Sequence, residues 1–384
     1  MKITAIIPLF NGEKYIQSSL LSLYNQSSKI DEIIIINDSS TDGSLQTIQK
    51  FKKERSIPLK IVSNNTNRGS SYSRNIGIKK STYEYVLFLD QDDYLDKNFI
   101  FEIRNHLENF QNHSIDAIHT SYIIIDENGN NHGKVNYDNH PVNEFLGYQF
   151  VRNRILSNSG TLVRKSILSK SGLFDESLNF SQDWDLWLRI GRFGNFSFLN
   201  KHLTYIRRHP NNTSCKLKNF LDDEKKILKK HDLKFIEDSI FARSISTEEN
   251  EEDFLSILYR LDEFKLCEER AELVLTSYPM LENIMFFKGL LEIRKGNYEK
   301  GTQFFNKIST YSKFYLPAQN NLSICYATQT KFSQSLHILE KVIAEKNNYN
   351  DALKNLGLIK LKKTDFKKYQ ISARPLRDIL YEYI

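Results

Sequence analysis

The sequence predicts an α/β fold in the first part of the chain and an all-α helical repeat domain in the last part. In the first part, short apolar runs alternate with amphipathic segments, which is typical of strands joined by helices in a mostly parallel sheet. In the last part, aromatic residues recur at an interval of 34 residues. The 384 residues also exceed the usual size of one domain, so two folding units are expected.

The predicted strands are short and rich in isoleucine, valine and leucine, and continuous apolar runs among them indicate burial on both faces of a sheet. They lie at Ile3–Pro8, Ile33–Ile36, Leu59–Val62, Tyr85–Leu89, Ala117–Ile125 and Gly160–Val163. The predicted helices lie at Glu13–Asn25, from Leu45 through Phe51, and at Ser71–Lys80, Lys97–Phe110, Ser166–Lys170, Asp183–Phe193 and Leu217–Lys230. The polar stretch from Glu127 to about Tyr148 is expected to be a turn followed by a long loop.

Several registers of the last part keep the 34-residue interval. The aromatic register is Phe264, Tyr298, Phe332 and Phe366, and the register of small residues is Gly289, Ser323 and Gly357. This pattern resembles tetratricopeptide repeats, which implies helix pairs stacked around a concave surface that holds a peptide or a protein. The alternative is a stabilising or dimer-forming appendage, so a homodimer through the repeats also remains open.

The boundary between the two domains is predicted from a polar, acidic run at 247–252. The α/β domain is expected at 1–235, the linker at 236–252 and the repeat domain at 253–384.

The composition narrows the function classes and the compartment. The 53 basic and 47 acidic residues leave a net charge of +6, without the dense basic stripe that nucleic-acid binding needs. The apolar runs are strand-sized, so we expect no membrane span and no signal peptide, although contact with an anionic membrane surface is allowed. Cys215, Cys267 and Cys325 form no Cys-x-x-Cys pair. A reducing, cytoplasmic location is therefore expected.

Carboxylates follow the predicted strand Tyr85–Leu89, in the run Asp90-Gln91-Asp92-Asp93. Ligands collect at the carboxyl ends of strands in an open α/β sheet. Acidic oxygens at that edge suit a hard divalent cation, which can neutralise a diphosphate leaving group. Taken alone, the same residues would also suit the N-terminal cap of the next helix.

Two further polar clusters precede predicted helices. Asp38 ends the second strand, where it can accept hydrogen bonds from a nucleobase or ribose, or cap the next helix. Asn67-Arg68-Gly69 and Arg74-Asn75 place two guanidinium groups around a helix start, which suits phosphate oxygens. Surface ion pairs are the alternative for both arginines.

Taken together, these motifs resemble the family 2 inverting glycosyltransferases of the GT-A fold. The matching runs are Ile6-Ile7-Pro8-Leu9-Phe10-Asn11, Asn37-Asp38-Ser39-Ser40-Thr41-Asp42-Gly43, Asn67-Arg68-Gly69, Arg74-Asn75-Ile76-Gly77 and Leu89-Asp90-Gln91-Asp92-Asp93. The resemblance continues through Ser171–Glu176, Ser181–Arg189 and Tyr205–Ser214, so it covers about residues 1–230.

The resemblance implies a role for each matched position. The residues expected to bind the nucleotide-sugar are Pro8, Phe10, Asn11, Asp38, Asn67, Arg74, Asp90, Gln91, Arg207 and Arg208. A divalent cation, Mn²⁺ or Mg²⁺, would be held by Asp92 and His209, and Asp183 would be the catalytic base. Gln182 and Trp184 would face the acceptor, although core packing is an equal alternative for Trp184. Gln182 stands where the family usually has glutamate, so sugar or acceptor preference is expected to differ.

The implied reaction is a single displacement that inverts the anomeric carbon. The donor is expected to be a nucleotide-diphosphate sugar, with UDP-sugars favoured, and the acceptor group a hydroxyl or thiol. One hypothesis places that group on a peptide or protein held by the repeats, an architecture that resembles the enzymes of bacterial glycopeptide bacteriocins. The other is assembly of a cell-surface polysaccharide or lipid-linked glycan. A dinucleotide-binding oxidoreductase is disfavoured because no Gly-x-Gly-x-x-Gly follows the first strand. A non-enzymatic scaffold is disfavoured because Gln182 is the one departure from the expected acidic positions.

Overall fold

The computed structural model of the chain describes residues 1–109, 115–135, 140–155, 157–178, 180–210, 212 and 220–375. It divides into two compact units, Met1–Ala242 and Arg243–Ile384. The predicted sequence of an α/β unit followed by a helical unit is confirmed. Cys215 and Ser214, which entered the predictions from the sequence, lie outside the described residues.

The first unit is built on one mixed sheet. Its strands are β1 (Ile3–Leu9), β2 (Glu32–Asn37), β3 (Leu59–Ser63), β4 (Tyr85–Phe88), β5 (Tyr94–Leu95), β6 (Ala117–Ile125), β7 (Asn131–Val135), β8 (Thr161–Arg164) and β9 (Phe196–Arg207). Within the described residues the strand order is β3-β2-β1-β4-β8-β6-β9-β5, with β7 paired to β6. β3, β2, β1 and β4 are parallel, so their carboxyl ends meet at one edge of the sheet.

Helices cover both faces of this sheet. They are α1 (Ile16–Tyr24), α2 (Ser44–Glu54), α3 (Gly69–Lys80), α4 (Phe99–Asn109), α5 (Phe145–Val151), α6 (Lys165–Lys170), α7 (Gln182–Gly191), α8 (Phe220–Leu228) and α9 (Leu233–Phe241). Apolar residues of α1, α2 and α4 pack with one face of β1 and β2. Apolar residues of α3, α6 and α7 pack with the other face of the central strands. The isoleucine-rich β1 and β2 are therefore buried on both sides, as their continuous apolar runs predict.

The structure contains elements that the hydrophobic pattern did not predict. The twelve-residue β9 was missed because Asn200-Lys201-His202 interrupts its apolar run. Its pairing with β6 also shifts register near Ser121, so a simple alternation of inward and outward residues is lost. The stretch expected to be a long loop instead contains β7 and α5. These elements matter for function, because α5 and the end of β9 both border the candidate site.

The division between the two units follows Ala242, which lies within the segment 236–252 predicted as the linker. Most of α9 and the beginning of α10 occupy those residues. The acidic run starts a helix because Ser246 caps it, accepting a hydrogen bond from the Glu249 N–H and donating one to the Glu249 carboxylate. Both bonds involve the Ser246 hydroxyl, so Ser246 is the N-cap residue, and acidic residues in the first turn also favour a helix N-terminus.

The second unit consists of helices joined by short turns. They are α10 (Thr247–Arg260), α11 (Phe264–Ser277), α12 (Glu282–Arg294), α13 (Tyr298–Phe305), α14 (Tyr315–Thr328), α15 (Phe332–Glu345) and α16 (Asn350–Lys360), followed by a 3₁₀ turn at Phe366–Lys368. The repeating aromatic residue is the first residue of α11, α13, α15 and this turn. The periodicity thus marks the same point in successive helix pairs, while the tetratricopeptide assignment itself stays a prediction.

Two observations bear on compartment and oxidation. Among the described residues, none of the helices is both long and apolar enough to cross a membrane. Cys267 and Cys325 are buried free thiols.

Candidate functional site

The loops after β1 and β2 are bound to each other at the carboxyl edge of the sheet. Gln91 joins the loop after β1 to the acidic run 90–93. Its side-chain amide accepts a hydrogen bond from Phe10 N at 2.8 Å and donates one to Phe10 O at 3.1 Å. Asn11, with φ of 48°, accepts a hydrogen bond from Thr41 N at 2.8 Å. Pro8 is buried within β1, while the Phe10 side chain is 42% exposed. An aromatic ring left open beside a rigid loop can stack on a planar group such as a base.

Asp38 is buried under the start of α3. Its carboxylate accepts hydrogen bonds from Asn64 Nδ2 at 2.7 Å, from Arg68 N at 3.0 Å and from Gly69 N at 2.7 Å. The carboxylate is therefore engaged with the backbone that opens α3, whereas the alternative considered for it was capping of the next helix, α2. Asn67 reinforces the same turn by accepting a hydrogen bond from Gly69 N. Contact of Asp38 or Asn67 with a nucleotide stays a prediction.

Arg74 and Asp90 form an ion pair below this edge. Arg74 Nη2 lies 2.5 Å from Asp90 Oδ1, and Arg74 is only 3% exposed. Its Nε and Nη1 atoms are buried, and no partner for either is found among the described residues. Buried guanidinium donors are destabilising unless they are paired, so this site is suited to receive acceptor oxygens such as those of a phosphate.

Asp92 and His209 meet, although 117 positions separate them in the sequence. Asp92 Oδ2 lies 2.9 Å from His209 Nε2 and 3.2 Å from Asn212 Nδ2. Two ligands bound to one ion at about 2.1 Å and at right angles lie about 3 Å apart, so the Asp92 and His209 atoms fit neighbouring positions around a divalent cation. Among the described residues, no group of three or more His, Cys, Asp and Glu side chains forms a complete metal site. These side chains could hold a cation only together with outside oxygens, such as those of a diphosphate and water.

Arg207 braces this acidic loop. We expected it to bind the nucleotide-sugar, but its Nε donates to Asp92 O and its Nη1 to Asp126 O and Glu127 O. It is 6% exposed, and its backbone N–H donates to Asp93 Oδ1. Three backbone carbonyls thus engage Nε and Nη1, and contact of Arg207 with a nucleotide-sugar stays a prediction. Arg208, the next residue, is half-buried.

The catalytic base expected at position 183 lies at the beginning of α7. Asp183 Oδ1 accepts a hydrogen bond from Trp184 N at 2.7 Å, and Oδ2 accepts one from Asn153 Nδ2 at 3.4 Å. Burial raises the pKa of this carboxyl to about 6, and the charges of Arg74 and Asp90 also act on it. Positions 74, 90 and 183 are therefore close enough to interact electrostatically, while their roles in a reaction stay predictions. An aspartate with this pKa is ionised at neutral pH and remains basic enough to accept a proton.

Trp184 departs from the acceptor-facing role expected for it. Its ring is 1% exposed, and Nε1 donates a hydrogen bond to Gln149 O of α5 at 2.7 Å. The alternative of core packing is therefore the one the structure supports, and the indole joins α7 to α5. Gln182 is half-buried at the first position of α7, and its contact with an acceptor stays a prediction.

Residues that the motifs did not reveal hold these groups in place. Gln149 Nε2 donates to Asn153 Oδ1 at 2.8 Å, so α5 orients the amide that reaches Asp183. Ser159 donates to Asp93 Oδ2 at 2.5 Å and accepts from Asp90 N at 2.9 Å. The Tyr15 ring stacks on the His209 imidazole with centroids 5.1 Å apart. The contacts of Ser159 and Tyr15 leave no local sequence signature, because each joins segments that are distant along the chain.

Comparisons with known proteins relate the first unit to glycosyltransferases. Residues 4–172 match the family model described as "Glycosyl transferase family 2". An uncharacterized glycosyltransferase of Rickettsia typhi is 30% identical over 223 residues, which are 58% of this chain and 68% of that protein. One from Rickettsia bellii is 30% identical over 214 residues, which are 56% of this chain and 30% of that protein's length.

A third relative has a solved structure. The poly(ribitol-phosphate) beta-N-acetylglucosaminyltransferase TarS of Staphylococcus aureus is 39% identical over 100 residues, which are 25% of this chain and 17% of TarS. The crystal structure of TarS residues 1–349 in complex with UDP-GlcNAc aligns with a TM-score of 0.53 and 17% identity, over 96% of this chain and 90% of that one. At this identity the likeness establishes the fold.

Proposed function

The chain belongs to family 2 of the glycosyltransferases, and we propose that it transfers a sugar from a UDP-sugar to a hydroxyl or thiol on a peptide or protein. The observation that carries the proposal is the cluster of Asp183, Arg74 and Asp90 beside the Asp92–His209 pair. This cluster combines a carboxylate suited to act as a base, a buried guanidinium and a candidate cation-binding pair. An inverting displacement needs a base on one side of the anomeric carbon and charge neutralisation on the other.

In this mechanism Asp183 accepts the proton of the acceptor group as that group attacks the anomeric carbon. Asn153 and Trp184 N hold the carboxylate in place, and its partial burial raises the pKa so that it can act as a base. Arg74 offers two buried N–H groups to the oxygens of the departing diphosphate. A divalent cation held by Asp92 and His209 would add Lewis-acid neutralisation of that leaving group.

UDP-N-acetylglucosamine is the first donor to test. TarS is named for N-acetylglucosaminyl transfer, and its aligned structure is a complex with UDP-GlcNAc. Gln182 supports a separate test of other UDP-sugars, because an amide replaces the carboxylate that is usual at this position. We therefore propose both the UDP-sugar donor and the divalent cation as parts of this function.

The proposed acceptor is a peptide because the second unit offers buried groups that bind an extended backbone, as described below. A cell-surface glycan is the second candidate, and the name of TarS, a poly(ribitol-phosphate) transferase, favours it. In that case the second unit would serve assembly.

The test is a panel of nucleotide sugars incubated with the full chain, with and without Mn²⁺, read as release of nucleotide diphosphate. Peptide and poly(ribitol-phosphate) acceptors are then compared by mass spectrometry. Asp183→Asn should lower transfer by about 100-fold or more. Asp238→Asn, the same change on the surface of α9, is the matched control and should leave transfer unchanged. Full transfer by Asp183→Asn would refute the assignment of the base.

A further inference from the structure

The second unit binds a segment of its own chain through asparagine side chains. After the 3₁₀ turn Phe366–Lys368, residues 369–375 form neither helix nor strand. Tyr369 begins this segment with φ of −76° and ψ of 149°, which is extended backbone. The segment packs against α14 and α16, the first helices of two successive pairs.

The asparagine side chains form hydrogen bonds with the main chain of alternate residues of the segment. Asn355 accepts a hydrogen bond from Gln370 N at 2.8 Å and donates one to Gln370 O at 2.8 Å. Two residues later, Asn321 accepts from Ser372 N at 2.9 Å and donates to Ser372 O at 2.8 Å. These two asparagines are 34 residues apart, one repeat interval. Pairing both backbone groups of every second residue is how a sheet edge binds an added strand, without regard to side chains.

At one position of the segment, the second unit also contacts the side chain. The Ser372 hydroxyl donates to Asp351 Oδ2 at 2.9 Å and accepts from Asn320 Nδ2 at 3.0 Å, and it also meets the Tyr349 hydroxyl. Ser372 is 4% exposed, so the space around it suits a small residue with a hydroxyl group. The site therefore combines backbone hydrogen bonds, which do not depend on the peptide sequence, with one position that selects a side chain.

The asparagines are unusual for residues whose role is packing alone. Asn320, Asn321 and Asn355 are all 0% exposed, and asparagine is neither a strong helix former nor apolar. A buried amide is destabilising unless its donor and acceptor are both paired. Here the pairing partners include the main chain of the bound segment, so these side chains suit a peptide ligand better than a fixed apolar interface.

We propose that α14 and α16 form a peptide-binding site that the 370–372 segment occupies in this structure, and that an extended peptide of the acceptor displaces it. The peptide places a serine at the position of Ser372 and is held mainly by its backbone. The identification of this peptide with the acceptor rests on the proposed function. Peptide binding itself involves only the second unit.

The experiment uses the full chain and a fluorescein-labelled heptapeptide with the sequence of residues 369–375, followed by fluorescence anisotropy. Ser372→Pro in the chain removes an N–H and the hydroxyl, and so weakens the hold on the internal segment. We expect the probe to bind this variant at least about tenfold more tightly than the wild-type chain, because less internal competition remains. Adding Asn321→Ala or Asn355→Ala should then weaken probe binding by about tenfold or more. Lys354→Ala, an exposed neighbour on α16, is the matched control and should change nothing.

Several outcomes would overturn the proposal. One is a folded Ser372→Pro chain, with wild-type circular dichroism, that fails to bind the probe. Binding that ignores the asparagine substitutions is another. Gln370→Pro, which removes a single hydrogen bond to Asn355, is the second variant. Loss of helical signal in both variants would show that the segment is a fixed part of the fold, and dimers formed by segment exchange would make a second copy the occupant.

The readout separates this inference from the proposed function. No sugar donor is present in the anisotropy assay, so binding does not depend on transfer. A chain that releases UDP but does not bind the probe would refute the peptide site alone. A chain that binds the probe but transfers no sugar would refute the proposed function alone.

Discussion

Replacing the candidate base should stabilise the first unit at alkaline pH. Asp183 has its pKa raised from 3.8 to about 6 because burial disfavours the ionised form. The folded state therefore holds the proton more tightly than the unfolded state does. The resulting stabilisation is fully present below pH 3.8, declines as the pH rises, and is lost above about pH 6. Asparagine cannot ionise, so Asp183→Asn should gain in relative stability as the pH increases.

The size of this effect follows from the two pKa values. A shift of about two pKa units corresponds to about 3 kcal/mol, and the interval from pH 4.5 to pH 8 samples about 2 kcal/mol of it. Asp183 is only half-buried, so solvent screening lowers the expected change to about 1 kcal/mol. For a unit of this size, that is a shift in Tm of about 2–4 °C.

The assay is thermal or urea unfolding followed by tryptophan fluorescence. Both tryptophans of the chain, Trp184 and Trp187, lie in α7, so their emission reports on the first unit alone. The difference between Asp183→Asn and wild type is measured at pH 4.5 and pH 8, with Asp238→Asn as the control for the chemical change. A difference that is equal at the two pH values, or that falls toward pH 8, would refute burial as the cause of the raised pKa.

Three further predictions concern the reaction, the cation and the repeat domain. The rate of sugar transfer at low substrate should rise with pH through a midpoint near 6, because Asp183 must be ionised to act as a base; a flat profile from pH 5 to pH 8 would contradict its role. Asp92→Asn and His209→Gln should each weaken Mn²⁺ binding by about tenfold or more, measured by calorimetry in the presence of UDP, and unchanged binding would place the cation elsewhere. Gly289→Val should destabilise the second unit by about 1–3 kcal/mol, measured by urea unfolding with circular dichroism as the signal. The reason is that the added Cβ would lie 2.6 Å from the Phe305 ring. An equally stable variant would show that α12 and α13 can separate without penalty.

The parts of the site that could be predicted from sequence are those that sit at the ends of buried strands. β1, β2 and β4 are recognisable from continuous apolar runs, and the polar residues after them must meet at one edge if the strands are parallel. Asp90 and Asp92 were placed in this way. The position of Asp183 depended instead on the family resemblance, since a helix pattern alone does not show which residue faces a ligand.

Other features depended on contacts between distant segments. Arg207 follows a motif, but the partners of its guanidinium are backbone carbonyls at Asp92, Asp126 and Glu127, and carbonyl positions leave no trace in the sequence. Periodicity does not assign Trp184 to the core or the surface, because the decisive contact is with a backbone carbonyl of α5. That helix lies in a polar stretch whose sequence does not predict a helix.

The site contains two groups that destabilise the chain before any ligand binds. Asp183 is held in surroundings that disfavour its charge, and Arg74 is buried with two N–H groups for which the described residues supply no partner. A ligand that pairs with Arg74 and a reaction that protonates Asp183 would each remove one of these costs. In the proposed reaction, a diphosphate would supply acceptors to Arg74 and proton transfer would neutralise Asp183. If the transfer uses these two groups as proposed, bound UDP should protect the first unit while leaving the asparagine-lined site of the second unchanged.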